Sequence, residues 1–330
     1  LVNFTPPRAG RLLRHDLCFL PAIWAEKEDA VLVDDVDYAW KQYKITTLNK
    51  PCNFINYNEL SRMASLGNDM EFEPWGWDMP VREQLVKCNV PMSSLPDNDY
   101  LNNIKKISHR GWCAKNLLPT LTKIHNTIGN AKIGHNMEEL KIYLSAYHNI
   151  IVKSPWSCSG RGVRRVDNNS YKQLEGWLNN VIKHQGCVLM EPYYEKSMDF
   201  GMEFVCNGRG NIEYRGLSLF MASNGAYIGN IIANEKTKED IIARYVQLSS
   251  LQEIRQSIMT VLTPLLGNTY HGPFGIDMMI VNCNDKILVH PCVELNLRMT
   301  MGHVALGITQ STCHLMSVVC QQGRYRLKLE

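Results

Sequence analysis

The sequence predicts an α+β protein built of several lobes. Three observations carry that expectation. Short apolar runs such as Ile150-Ile151-Val152 and Val188-Leu189-Met190 have strand length. The turn-rich Asn207-Gly208-Arg209-Gly210 sits between two strand-like segments. Apolar residues recur at helical intervals from Glu239 to Leu266. At 330 residues the chain exceeds one small core and suits two domains or a composite of lobes.

Taken in order, residues Ala9 to His15 read as a helix after Pro6-Pro7, because proline suits the first helical turn. Arg8, Arg11 and Arg14 recur there at helical spacing and form one basic face, either a solvated surface or a catcher of acidic substrates. An apolar segment from Leu17 to Trp24 and a strand at Ala30 to Val33 complete an α/β lobe. Glu71 to Asp78 is a loop carrying Trp75 and Trp77, which either stack on a substrate or plug a joint between lobes. After Pro80 a helix runs from Val81 to Cys88. Pro91 to Asp99 is rich in Pro, Ser, Asp and Asn, so the boundary is placed there, giving an N-terminal domain 1–95 and a second domain 96–330. From Tyr100 to Tyr147 the pattern is helical, with one short strand near Ala131 to Ile133. Met202 to Cys206 and Ile212 to Phe220 flank the turn as a hairpin.

Composition narrows the function. Apolar residues make up 45% and charged residues 20%, which is ordinary for a globular protein. A net charge of +3 is too small to imply nucleic acid. Eleven cysteines without a C-x-x-C pair argue against zinc and a disulfide framework, and for buried thiols in a reducing cytoplasm. No apolar run reaches the roughly 20 residues needed to span a bilayer, and no signal peptide opens the chain. The expected location is cytoplasmic.

The chemistry concentrates in four segments. In Val293-Glu294-Leu295-Asn296-Leu297-Arg298 a strand places Glu294, Asn296 and Arg298 on one face. Hard oxygen donors followed by a cation suit a Mg²⁺-bound polyphosphate, although a half-buried antiparallel strand shows the same alternation. Ile150 to Lys153 is an apolar strand tipped by a lysine, followed by Trp156-Ser157-Cys158-Ser159-Gly160-Arg161-Gly162. Such a loop offers backbone N–H groups and hydroxyls to phosphate, or is an ordinary hairpin. It is not a Walker loop, because no G-x-x-x-x-G-K-[ST] pattern is present. Val188 to Glu195 is a strand that breaks at Pro192, suited to a hinge beside a nucleobase or to an edge strand. Asp277 stands alone in the apolar run Gly275 to Val281, where a charge is costly unless paired or metal-bound.

Lys153 with its Ser/Gly loop, the Glu191 hinge, Asp277 and Glu294-x-Asn296-x-Arg298, in that order, resemble the ATP-grasp superfamily of carboxylate-amine and carboxylate-thiol ligases, with a bacterial branch as nearest kin. The resemblance spans about Leu95 to Leu306. It implies an ATP-grasp fold of two α+β lobes clasping ATP, small lobe about 100–190 and large lobe about 191–330, preceded by a smaller α/β lobe. By it, Lys153 holds the α- and β-phosphates, and the loop of Ser157, Ser159, Gly160, Arg161 and Gly162 covers the triphosphate. Glu191, Pro192, Tyr193 and Tyr194 cradle adenine, and Asp199 takes the ribose. Asp277, Glu294 and Asn296 hold two Mg²⁺ ions, and Arg298 stabilises the acyl phosphate. Arg110 stands where the family has a small-lobe lysine, with Lys115 the lesser candidate.

The implied reaction joins a carboxylate to an amine through an acyl phosphate with release of ADP. The partners are therefore small-molecule acids and amines, neither nucleic acid nor membrane, with a homodimer as the default assembly. A small-molecule kinase using the same nucleotide site and a non-catalytic ATP-binding protein are the alternatives. Cys158 lacks a readable histidine partner for nucleophilic catalysis. His271, His290 and His303 read as hydrogen-bonded structural residues, His303 being the nearest to a substrate contact.

Overall fold

The computed structural model describes residues 7–46, 51–67, 69–157, 162–223, 226–308 and 314–330. By contact density the chain forms two units. One comprises Leu1–Ile104, Ile228–Asn234 and Arg298–Glu330, and the other Lys105–Tyr227 and Glu235–Leu297.

The first unit opens with α1 (Arg8–Asp16), which starts behind Pro7. Arg8, Arg11 and Arg14 are all exposed on it, and Arg14 donates to the Tyr57 hydroxyl at 2.8 Å. After a single 3₁₀ turn at Leu20–Ile23 come β1 (Ala30–Leu32), α2 (Val36–Ile45) and β2 (Asn53–Ile55), and the two strands pair in parallel. Parallel neighbours need such a crossover, since a tight turn cannot reverse the chain twice. α3 (Tyr57–Ser65) begins in a capping box of Asn56 and Glu59, which satisfies N–H groups that the helix itself leaves unpaired. α4 (Met79–Lys87) starts at Asp78, whose carboxylate accepts from the Val81 N–H. Leu60, Ala64, Leu85, Cys88, Val90 and Leu95 form a core here, and Phe72, Trp77 and Val81 pack on it. Trp77 is therefore packing material. α5 (Asn98–Ile107) carries the chain across the boundary.

The second unit begins with α6 (Arg110–Asn116) and the short α7 (Leu118–Leu121), then β3 (Lys132–Gly134), α8 (Met137–Tyr147), β4 (Asn149–Lys153), β5 (Val163–Asp167), α9 (Tyr171–Gln185) and β6 (Val188–Pro192). These strands form an antiparallel sheet ordered β3-β6-β4-β5. Its apolar side chains Ile150, Val152, Val166, Val188 and Met190 close against Leu140 and Leu144 of α8 and Leu178 of α9. Next, β7 (Glu195–Asn207) and β8 (Ile212–Ser223) make the expected hairpin, with Gly208 and Gly210 at φ +68° and +83° supplying backbone conformations that other residues rarely adopt. β9 (Ala226–Ile231) follows.

The helical stretch expected from Glu239 to Leu266 is two helices, α10 (Glu235–Ile242) and α11 (Leu248–Leu266), because Gln247 is extended between them. β10 (His271–Cys283) and β11 (Lys286–Asn296) then extend the larger sheet, in which the order is β11-β10-β7-β8, all antiparallel. α12 (Met301–Gly307), β12 (Leu315–Gln321) and β13 (Arg324–Leu329) return to the first unit, where β9, β12 and β13 pair antiparallel. Among the described residues no helix is long and apolar enough to cross a membrane.

Candidate functional site

Strand pairing brings the acids together. Asp277 of β10 and Glu294 of β11 are direct partners, and Gly275 pairs with Asn296. Directly opposed side chains on one face have Cβ atoms about 5 Å apart, and like charges there repel. The chain supplies relief on both sides. Asn296 donates its amide to Asp277 Oδ2 at 3.1 Å. Arg110 reaches both Glu294 oxygens through Nη2 at 3.0 Å. Turning the Asn296 amide over would present its oxygen instead, so the pair and this amide can offer three hard oxygen donors on one face.

Arg110 sits at the start of α6, placed there by the N-cap His109, whose ring accepts from the Gly111 N–H. Its other nitrogen, Nη1, donates to Ser154 O at 2.7 Å and to Ser157 Oγ at 2.6 Å. One buried guanidinium thus ties the acid strand to the stem of the Ser/Gly loop, a use of the planar fork that an ammonium cannot match. The stem itself is latched by Ser154 N–H donating to Gly162 O at 2.7 Å. A Cβ on Gly162 would overlap Ser157. Ser159, Gly160, Arg161 and Cys158 lie outside the described residues.

Lys153 ends β4, buried to 5% exposure. Its Nζ donates to Glu191 at 2.7 Å and to Val293 O at 3.2 Å. The second bond matters for the site, because Val293 immediately precedes Glu294. The lysine-tipped strand and the acid strand therefore meet. Glu191 and Pro192 close β6 in full burial. Tyr193 donates its N–H to Asn149 O, and the Arg165 guanidinium lies 4.0 Å from its ring centroid. Tyr194 meets the His290 ring edge-on at 5.7 Å. Asp199, on β7, is bonded by Lys196, and burial nevertheless lifts its carboxyl above the usual range.

Arg298 belongs to the first unit, where its Nη1 donates to Met299 O at 3.3 Å. His303 is engaged in the capping box that opens α12, with Thr300 Oγ1 and its ring Nδ1 3.0 Å apart. A structural role thus holds for His303. His290 is different. It is wholly buried, and neither ring nitrogen has a hydrogen-bond partner among the described residues. Burial, reinforced by the Lys153 charge, lowers its pKa to about 3.

Glu203 is a residue that the sequence reading passed over. It is 3% exposed on β7. A Cβ placed on Gly201 would lie 3.7 Å from Glu203 Oε1 and 3.8 Å from Asp277 Oδ1, so these two acids flank one point. The signal existed, since a lone acid in the apolar run Gly201 to Cys206 is the same anomaly that marked Asp277. Among the described residues no three His, Cys, Asp or Glu side chains gather as a metal-holding group.

No protein-family model matches the sequence, and no curated protein matches it. Solved structures do. Biotin carboxylase from Campylobacter jejuni in complex with β-γ-ATP aligns with a TM-score of 0.57 at 12% identity, over 95% of this chain and 74% of that one. The biotin carboxylase domain dimer of the Hydrogenobacter thermophilus 2-oxoglutarate carboxylase, in complex with MgADP, ADP and bicarbonate, aligns at 0.52 and 13% identity, over 91% and 66%. Rhizobium etli pyruvate carboxylase aligns at 0.53 and 14%, over 76% of this chain and 21% of that much longer one. The likeness is one of fold, and the chain has the ATP-grasp fold expected from its ordered motifs.

Proposed function

We propose that this ATP-grasp chain is an ATP-dependent ligase that joins a carboxylate to an amine through an acyl phosphate, releasing ADP when the acyl phosphate forms and inorganic phosphate when the amine displaces it. The observation that carries the reading is the convergence of Lys153, Arg110 and the Asp277–Glu294 pair, linked through Val293 O and the Glu294 carboxylate. Phosphoryl transfer needs alignment and charge neutralisation more than a protein nucleophile. Lys153 would hold the α- and β-phosphates, Arg110 would grip from α6, and Ser157 to Gly162 would cover them. Glu191 to Tyr194 would cradle adenine and Asp199 the ribose. Asp277, Glu294 and Asn296 would hold two Mg²⁺ ions, a reading supported by the direct pairing of the two acids, which gathers hard oxygen donors on one face. Bound Mg²⁺ supplies neutralisation of the transferring phosphate. Arg298 would stabilise the acyl phosphate. An N-terminal lobe of about 1–95 would carry acid and amine selection, in a cytoplasmic and homodimeric enzyme.

A second reading rests on the Arg110–Glu294 bond, which occupies a proposed metal ligand with a fixed cation. ATP binding without turnover would follow. The experiment mixes purified protein with Mg²⁺-ATP and panels of acids and amines, reading ADP release and trapping acyl phosphate with hydroxylamine. ADP release with hydroxamate formation, lost in Glu294→Ala, is the expected result. Tight ATP binding with no ADP under any mixture supports the non-catalytic reading, and a phosphomonoester product identifies a kinase. Glu294→Ala with full ADP release overturns the metal assignment.

A further inference from the structure

The first unit holds a closed circuit of contacts around Arg298. Met299, the next residue, donates its N–H to Trp75 O at 2.7 Å. A Cβ on Gly76 would stand 2.8 Å from Arg298 Cβ and 3.8 Å from Arg298 Cδ, so the arginine stem lies against a residue that has room only as glycine. Trp75 faces Trp24, ring centroids 6.3 Å apart at 54°. Trp24 follows the turn at Leu20–Ile23, and a Cβ on Gly307 of α12 would lie 2.9 Å from Ile23 Cγ2. Thr300 closes the circuit, because it caps α12 two residues beyond Arg298. Trp77, from the same loop, packs on the core, whereas Trp75 packs its ring on Trp24, and all three tryptophans are partly exposed.

We propose that Arg298, Trp75 and Trp24 form the receiving site for a carboxylic acid that carries a ring-sized apolar group, with Gly76 as the positioning residue that sets the arginine. This deepens the ligase reading, on which the role of Arg298 rests. A guanidinium meets a carboxylate as a two-pronged fork, which fixes the acid in orientation. Two tilted indoles present broad faces with few rotatable bonds, a surface that favours flat or bulky apolar groups over short chains. Because loop and arginine share the Gly76 contact, a change at Gly76 displaces the carboxylate grip without removing or adding a charge.

The test is calorimetric titration of the full chain, without nucleotide, using 3-phenylpropionate and propionate. The aromatic acid is expected to bind at least tenfold more tightly. Trp75→Leu should erase that difference and Trp75→Phe should restore most of it. Arg298→Gln should weaken both acids at least tenfold. Gly76→Ala should weaken both acids at least fivefold while the circular dichroism spectrum stays that of the parent. Equal binding of the two acids by the parent chain, or Gly76→Ala binding like the parent, overturns the proposal. ATP titration of the same preparations reports on the nucleotide reading separately. Acid binding as described with no ATP binding removes the ligase reading and keeps this site, and ATP binding with no preference between the acids does the reverse.

Discussion

Replacing Glu191 with glutamine isolates the buried charge beneath the proposed phosphate site. Lys153 and Glu191 are 6% and 5% exposed at the side chain, with Nζ 2.7 Å from the carboxylate. At that separation and an effective dielectric of 20, the gross attraction is about 6 kcal/mol. Desolvation of both ions offsets much of it, and removal of one partner from a buried pair typically costs about 3 to 5 kcal/mol because the other charge stays behind. Glutamine keeps an acceptor for Nζ, and Val293 O remains at 3.2 Å, so about 3 kcal/mol is the expected loss. Lys153→Met with Glu191→Leu removes both charges and should recover about 2 kcal/mol or more of it. The assay is urea unfolding of the double-mutant cycle made of Lys153→Met, Glu191→Leu and their combination, with Glu191→Gln measured beside it. Saturating Mg²⁺-ATP should then narrow the Glu191→Gln deficit, because the triphosphate restores negative charge beside Lys153 in the folded state alone. A Glu191→Gln variant within about 1 kcal/mol of the parent, or a double variant as unstable as the sum of the singles, would refute the reasoning.

Three further outcomes follow from the same geometry. Arg110→Lys keeps the charge but cannot reach Ser154 O, Ser157 Oγ and both Glu294 oxygens together, so urea unfolding should show a loss of about 2 kcal/mol, and ATP calorimetry at least tenfold weaker binding. Gly162→Ala drives a methyl into Ser157 and should weaken ATP binding at least tenfold, while Gly176→Ala, at a glycine with open space around it, serves as the silent control. His290 has its pKa held near 3 in the folded chain against about 6.5 when unfolded, so between those values the unfolded chain binds a proton that the folded chain does not. Stability is therefore full above about pH 6.5 and falls on acidification by up to roughly 1.4 kcal/mol per pH unit, a slope that His290→Gln should remove from the urea midpoints.

The acid strand was legible because its information is local. Alternation alone puts Glu294 and Asn296 on one face, and a lone acid in an apolar run marks Asp277. What alternation does not carry is register. The direct pairing of Asp277 with Glu294 depends on a slip between Asp277 and Met279, which no periodicity announces. Lys153 was legible as a strand tip, but its bond to Glu191 joins residues 38 apart. Asp16 shows the limit most clearly. It is wholly buried, and its partners are the Tyr325 N–H at 2.8 Å, Arg324 at 2.8 Å and the Tyr38 hydroxyl at 3.2 Å. Burial opposes its ionisation, yet the Tyr325 N–H and Arg324 outweigh that and keep its pKa low. Nothing within a window of twenty residues reveals that the end of the chain returns to α1.

Stability and chemistry pull against each other at the acid pair, and the contacts show where. Opposed carboxylates are unfavourable in an antiparallel ladder, and so is a buried lysine, unless each finds a counter-charge. The chain answers with two cations from different elements, Arg110 on Glu294 and Lys153 on Glu191, and each bond spans sequence-distant segments. Those same cations are the groups a triphosphate would engage. An anion arriving there would compete with Glu294 and Glu191 for them and would free Glu294 toward a metal ion. On this reading the resting ion pairs are placeholders whose exchange couples nucleotide arrival to metal capture. Mg²⁺ should then bind the free protein weakly and the ATP complex strongly, a linkage that titration of Mg²⁺ with and without ATP measures directly.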